Sequence, residues 1–396
     1  MATKKTKKVD SSAILEQSKE LVESNSDYES DTKYIETGNI GFDMVLTNGL
    51  GIPVGSSILL WAEPGCGKTT LSADTSKRLI NIHKAKGEEF KVLYIDVEGS
   101  KELFNKMGLR KYTGKEFICI DVETLAKLKG KDGESYIMKW RTIEMLLEKV
   151  LSGKDERLRG VKFIIIDSVN NVLSDQNEKN SIADGDFGTR SRERANFYSK
   201  YLPQCKAKGI SVLLLSQIRQ KQDAGMNPYA EKKRAAVSDA DLHNVDIIIK
   251  CKPNKSHKEN VKLIEETTFG VDKCSEKYIM ELDPTSSSCK NRYDRTHKCE
   301  IMIEKGVGVC NYYVLRKLLV FHKFLKENSG WYTFTEPLCQ AFDFPNTKLR
   351  KDDVDKLISE KPGPLVSFLK EVGCYSVTAP DRITREEGSL EEESDE

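Results

Sequence analysis

Residues 63–70, Glu63-Pro-Gly-Cys-Gly-Lys-Thr-Thr70, follow the apolar residues Ile58 to Trp61 and lead into a helical pattern from Thr70 to about His83. That order predicts a loop that cradles phosphates. Gly65 and Gly67 leave no side chain where a backbone must curl its N–H groups around the anion. Lys68 adds a point charge, Thr69 offers a hydroxyl to Mg²⁺, and the following helix aims its N-terminus at the phosphates. Glu63, Pro64, Gly65, Cys66, Gly67, Lys68, Thr69 and Thr70 are the nucleotide-binding candidates. Ala62 stands where the G-x-x-x-x-G-K-[ST] pattern has its first glycine.

Further polar residues close apolar runs downstream. Asp96 and Glu98 sit two residues apart at the end of residues 91–97, on one face of an expected strand. A carboxylate there can deprotonate the water that attacks a γ-phosphate, which makes Glu98 the candidate general base. Asp167 ends the buried run 163–166 and is assigned, with Thr69, to the Mg²⁺ shell. Ser216 and Gln217 end the run 212–215, and a neutral amide at Gln217 can bind a γ-phosphate and lose it after hydrolysis.

Strands expected at 57–61, 91–97, 117–122, 161–166, 210–215 and 245–251 would position these groups, with helices between several of them, at 136–152 and 192–208 among others. This alternation predicts an α/β fold with a mostly parallel sheet covered on both faces, whose ligands gather at the C-terminal strand ends. The chain has 396 residues and a net charge of +1 that hides basic residues at the start and seven carboxylates among residues 385–396. No apolar run is long enough to span a bilayer, so no membrane role is expected. The ten cysteines lack C-x-x-C spacing and read as reduced thiols of a cytoplasmic protein. Cys251, His257, Cys274, Cys289, His297 and Cys299 are spaced too irregularly to read as a zinc site.

Taken together, Thr37-Gly-Asn-Ile-Gly-Phe-Asp43, Gly51-Ile-Pro-Val-Gly55, Ile95-Asp-Val-Glu98, Ile166-Asp-Ser-Val169 and Ser216-Gln-Ile-Arg219 resemble, in order and spacing, the core of RecA-type recombinases. The likeness runs from about residue 33 to 332 and is nearest to divergent phage or bacterial RecA/UvsX-type proteins. It implies a RecA-like P-loop ATPase core with ATP and Mg²⁺ as cofactors. It also implies single-stranded and double-stranded DNA as partners, together with self-assembly into a helical homo-oligomer and single-strand-binding and loader proteins. The loops 174–196 and 217–244 match the positions of the family's DNA-binding loops. Their candidates are Arg190, Arg192, Arg194, Arg219, Lys221, Met226, Lys232, Lys233 and Arg234. The family's paired glycines near the end of the second loop are replaced by Ala235-Ala-Val-Ser238. Cys289-Lys-Asn-Arg-Tyr293 resembles the segment with which one subunit reaches its neighbour's γ-phosphate, so Lys290 and Arg292 would act in trans.

The resulting division is a basic segment 1–36 with a short oligomerisation helix at 11–23, a core 37–325 with a polar insertion 253–288, a small α or α+β lobe 326–384 and an acidic tail 385–396. The expected function is ATP-dependent polymerisation on single-stranded DNA, homologous pairing and strand exchange, with DNA-stimulated ATP hydrolysis. Two alternatives share the ATPase core: a hexameric helicase, which commonly carries a larger N-terminal domain, and a mediator ATPase that loads another recombinase.

Overall fold

Strand β3 (Ser57–Ala62) is apolar without alternation because both of its faces are covered. Ile58 and Leu60 enter one core with Leu71, Leu79, Tyr313 and Leu319, whereas Leu59 and Trp61 enter another with Ile143, Leu147, Phe197 and Tyr201. Each such buried side chain contributes roughly 1.5–3 kcal/mol. The computed structural model describes residues 32–128, 135–174, 187–220, 233–235, 237–254, 277–286, 289–293 and 297–372. The stretch 11–23 and the acidic tail lie outside them.

After the short pair β1 (Tyr34–Ile35) and β2 (Ile52–Pro53), which flank helix α1 (Ile40–Thr47), the chain builds its main sheet. Its parallel part has the order β9-β3-β7-β6-β4-β5, with β4 (Lys91–Asp96), β5 (Phe117–Asp121), β6 (Val161–Asp167), β7 (Ser211–Gln220) and β9 (Ile247–Pro253). Strand β8 (Lys233–Ala235) pairs antiparallel with the end of β7. An antiparallel extension adds β10 (Lys277–Asp283), β12 (Cys299–Glu304) and β13 (Gly308–Val309), and β11 (Lys290–Asn291) pairs with the start of β9.

Helix α2 (Lys68–Ala85) covers one face of the sheet together with α8 (Asn311–Phe321). Between these two in the chain come α3 (Lys101–Lys106), α4 (Val122–Lys127), α5 (Trp140–Ser152), α6 (Phe187–Ala207) and α7 (Asp239–Asn244), of which α5 and α6 cover the opposite face. Strands β14 (Leu325–Asn328), β15 (Trp331–Phe334) and β16 (Leu349–Arg350) form a separate antiparallel sheet. It packs with α9 (Glu336–Phe342), α10 (Lys351–Glu360) and α11 (Pro362–Glu371), and Phe334, Leu338, Ile358 and Leu369 join the same core as α8. Arg316 of α8 donates to Asp355 of α10 at 2.6 Å. Among the described residues no helix is long and apolar enough to cross a membrane.

Two expectations need correction. Lys277–Asp283 is not part of an insertion: it is strand β10, in the sheet between β9 and β12, with Ile279, Met280 and Leu282 buried. The charged residues before it hide its apolar pattern. Arg190, Arg192 and Arg194 lie on a helix instead of a loop, because α6 begins at Phe187. Its first turns are polar, so hydrophobic periodicity gives them no signal.

Asp43 in α1 is buried and accepts hydrogen bonds from the Thr37 backbone N–H and, at 2.6 Å, from the Thr37 hydroxyl. Burial pushes its carboxyl up to about 7, against the pull of Thr37. The folded state therefore favours the protonated form over a range where the unfolded chain, titrating near 3.8, is ionised. The stability this provides is present below the unfolded value and is lost as pH rises through the folded one. Urea titrations should show the unaltered protein losing stability relative to Asp43→Asn between pH 4 and 7, with no further divergence above it; parallel pH curves would contradict this.

Candidate nucleotide-binding site

The loop between β3 and α2 turns through two glycines in the left-handed region, Gly65 at φ +73° and Gly67 at φ +95°. Around Gly65 an added Cβ would meet nothing within 4 Å, so this stretch of backbone faces open space. Gly67 is confined: a Cβ there would lie 2.3 Å from the Tyr278 hydroxyl and 2.8 Å from Ile303 Cδ1. Strands β10 and β12 thus press on the loop from behind. Lys68 is almost wholly buried, and its ammonium donates to the carbonyls of Ala62 and Glu63, both at 3.2 Å. This holds the charge beneath the loop, next to the N-terminus of α2. Cys66 and Thr70 are buried, Glu63 and Thr69 half-buried, and Pro64 exposed.

Register brings the other strand ends to this loop. Ala62 pairs with Gln217, Asp96 with Asp167, and Asp167 with Leu215. Asp167 Oδ2 accepts a hydrogen bond from Tyr94 at 2.8 Å, and Tyr94 exchanges a second one with Ser72 of α2 at 2.9 Å. Burial pushes the Asp167 carboxyl up to about 6, while the Tyr94 and Thr69 hydroxyls draw it down. Asp167 Oδ1 is buried and has no hydrogen-bond partner among the described residues. An orphaned carboxylate oxygen beside a threonine hydroxyl fits a hard, oxygen-seeking cation. Thr69 and Asp167 would hold Mg²⁺, which would neutralise charge on the phosphate oxygens.

Glu98 is not on a strand. Strand β4 stops at Asp96, whose buried carboxylate accepts from the backbone N–H groups of Glu98 at 3.2 Å, Gly99 at 2.9 Å and Ser100 at 2.6 Å. Asp96 therefore shapes the bend that presents Glu98. The Glu98 carboxylate accepts at Oε1 from Ser168 Oγ at 2.6 Å, Gln217 Nε2 at 3.0 Å and Asn171 Nδ2 at 3.1 Å. The candidate base and the candidate sensor are thus in direct contact. Ser168 falls within the motif Ile166–Val169, whereas Asn170 and Asn171 carry no sequence signal beyond being two adjacent asparagines just past it.

The cation candidates divide. Arg194 is 6% exposed, and its guanidinium donates to Asp241 of α7 at 2.8 Å. Asp241 also accepts from the Ser238 backbone N–H and hydroxyl, both at 2.7 Å, in the capping box of α7. Arg194 is a buried fastener between α6 and α7, so its assignment to DNA is withdrawn. Arg192 is exposed. Arg219 pairs in register with Arg234, and Gln220 with Lys233, which puts basic residues on the β7–β8 ribbon. Lys221, Met226 and Lys232 lie outside the described residues, as do the side-chain contacts of Arg190.

Lys290 and Arg292 are not near their own phosphate loop. Strand β11 pairs with Ile247 and Ile248, at the opposite end of the parallel strands. There Lys290 Nζ and Arg292 Nη2 donate to the His243 carbonyl at 3.1 and 2.8 Å, and Arg292 Nη1 pairs with Asp246 at 3.3 Å. Burial and the neighbouring guanidinium lower the pKa of Lys290. Among the described residues no group of His, Cys, Asp and Glu could hold a metal ion by itself, and His257 and Cys274 lie outside them.

Glu98→Gln should leave nucleotide affinity intact and nearly abolish hydrolysis; normal turnover would remove the base assignment. Arg194→Leu strands the buried Asp241 carboxylate and should lower unfolding stability by about 3–5 kcal/mol in urea titrations. A change near zero would mean that α7 needs no fastener.

No curated protein matches the chain. Residues 47–222 match the family described as the AAA domain, a span that takes in the phosphate loop, Glu98, Asp167 and Gln217. The mostly parallel sheet and the glycine loop between β3 and α2 give this stretch the fold of a P-loop NTPase core.

Proposed function

We propose that the protein is an ATP-dependent recombinase that polymerises on single-stranded DNA, pairs it with a homologous duplex and exchanges strands. The observation that carries this reading is the hydrogen bond between Gln217 and Glu98. It joins the group that would activate water to the strand that runs, from the next residue on, into the basic β7–β8 ribbon. Occupancy of the ribbon by DNA would thereby be felt at the hydrolytic centre. Arg219, Lys233 and Arg234 neutralise backbone phosphates without reading bases, as a homology search requires.

In this reading the loop N–H groups and Lys68 bind the β- and γ-phosphates of ATP. Water attacks the γ-phosphorus, Glu98 takes the water's proton, and the bridging oxygen leaves with ADP. Lys290 and Arg292, at the far end of the sheet from their own loop, would serve the γ-phosphate of a neighbouring copy, which would make hydrolysis depend on assembly. The acidic tail 385–396 would compete with DNA for basic surface.

Electron microscopy of the purified protein with single-stranded DNA and a non-hydrolysable ATP analogue should show extended helical filaments that do not form with ADP. Closed rings would replace this reading with the helicase, and absence of any DNA-dependent assembly with the mediator.

A further inference from the structure

Strand β6 lies between β4 and β7, so the turn that leaves it has Glu98 to one side and Gln217 to the other. Asn170 and Asn171 occupy that turn. Their side chains diverge. Asn171 Nδ2 donates to Glu98 Oε1 at 3.1 Å, while Asn170 Oδ1 accepts from the Gln217 backbone N–H at 2.8 Å and from the Ser216 hydroxyl at 3.0 Å. Gln217 Nε2 closes the ring by donating to the same Glu98 oxygen at 3.0 Å, and Ser168 Oγ adds a donor at 2.6 Å.

This arrangement is asymmetric in a way that matters for chemistry. Among the described residues, every hydrogen bond to the Glu98 side chain falls on Oε1 and none on Oε2. A carboxylate held by donors on one oxygen cannot rotate without losing them, so its other oxygen is presented in a fixed direction. The Gln217 amide that helps to hold Glu98 is also the group that a γ-phosphate would attract. Whatever draws Gln217 away loosens the base, unless other donors retain it.

We propose that Asn170 and Asn171 form a positioning pair that couples the base to the sensor. Asn171, with Ser168, retains Glu98 with Oε2 toward the attacking water when Gln217 departs. Asn170 anchors the backbone of the sensor strand, so that a displacement of the β7–β8 ribbon is passed through adjacent residues to the carboxylate. The pair deepens the ATPase reading and rests on Glu98 as the base and Gln217 as the sensor.

The test is steady-state ATP hydrolysis by the full chain, with and without single-stranded DNA, for Asn171→Leu, Asn171→Gln, Asn170→Leu and Glu98→Gln, with thermal melts as a folding control. Asn171→Leu should lower kcat about tenfold at unchanged KM and melting temperature, the scale expected when a donor to a charged group is lost. Asn171→Gln, which keeps the amide donor, should recover most of that loss. Asn170→Leu should reduce the factor by which DNA raises kcat. Unaltered kcat in Asn171→Leu beside an inactive Glu98→Gln overturns the pair and leaves the base assignment standing. A loss that Asn171→Gln does not recover, or a KM that rises in step, overturns it as structural damage. Normal turnover in Glu98→Gln overturns the base assignment and the pair with it. The Asn171 comparison is read without DNA, so it decides the matter even if DNA has no effect on the unaltered protein.

Discussion

The site depends on the register of a parallel hydrogen-bond ladder. Asp96 stands opposite Asp167, Asp167 opposite Leu215, and Ala62 opposite Gln217, each fixed by backbone pairing between strands far apart in the chain. Side chains alternate between faces, so a slip of one residue in any of these pairs would send a functional group to the wrong side of the sheet. What prevents the slip is apolar: Leu59 and Trp61 fill one core and Ile58 and Leu60 the other, and a shift would misplace them all. The chemistry at the strand ends is held in place by the apolar packing of the strands that carry it.

That dependence explains which parts of the site were legible in the sequence. The phosphate loop is a local pattern whose glycines and lysine speak for themselves. Glu98, Asp167 and Gln217 each close an apolar run, and the α/β alternation places run ends together even before pairing partners are known. Asp96 was half legible: its position at the strand end was read correctly, but its work is to bind the backbone N–H groups of the bend that carries Glu98.

The misreadings share a physical cause, which is that partners far away in sequence change what a side chain means. Arg194 reads as a free cation until Asp241, 47 residues on, accepts its guanidinium. Asn171 reads as an ordinary turn residue until Glu98, 73 residues back, is found within 3.1 Å of its amide. Strand β10 failed to register for a related reason, since its short apolar pattern follows a long polar stretch and gains meaning only as the neighbour of β9 and β12. Local propensity cannot report contacts of this kind.

The contact between Tyr278 and Gly67 bears on how this chain can vary over evolutionary time. Strand β10 meets β9 with Met280 opposite Pro253 and Asp283 opposite Lys250. The ladder itself fixes where Tyr278 falls against the phosphate loop, whatever joins the two strands. Closing a longer connection adds only a slowly growing entropic term. The connection between β9 and β10 can therefore vary in length without moving Tyr278 against the phosphate loop.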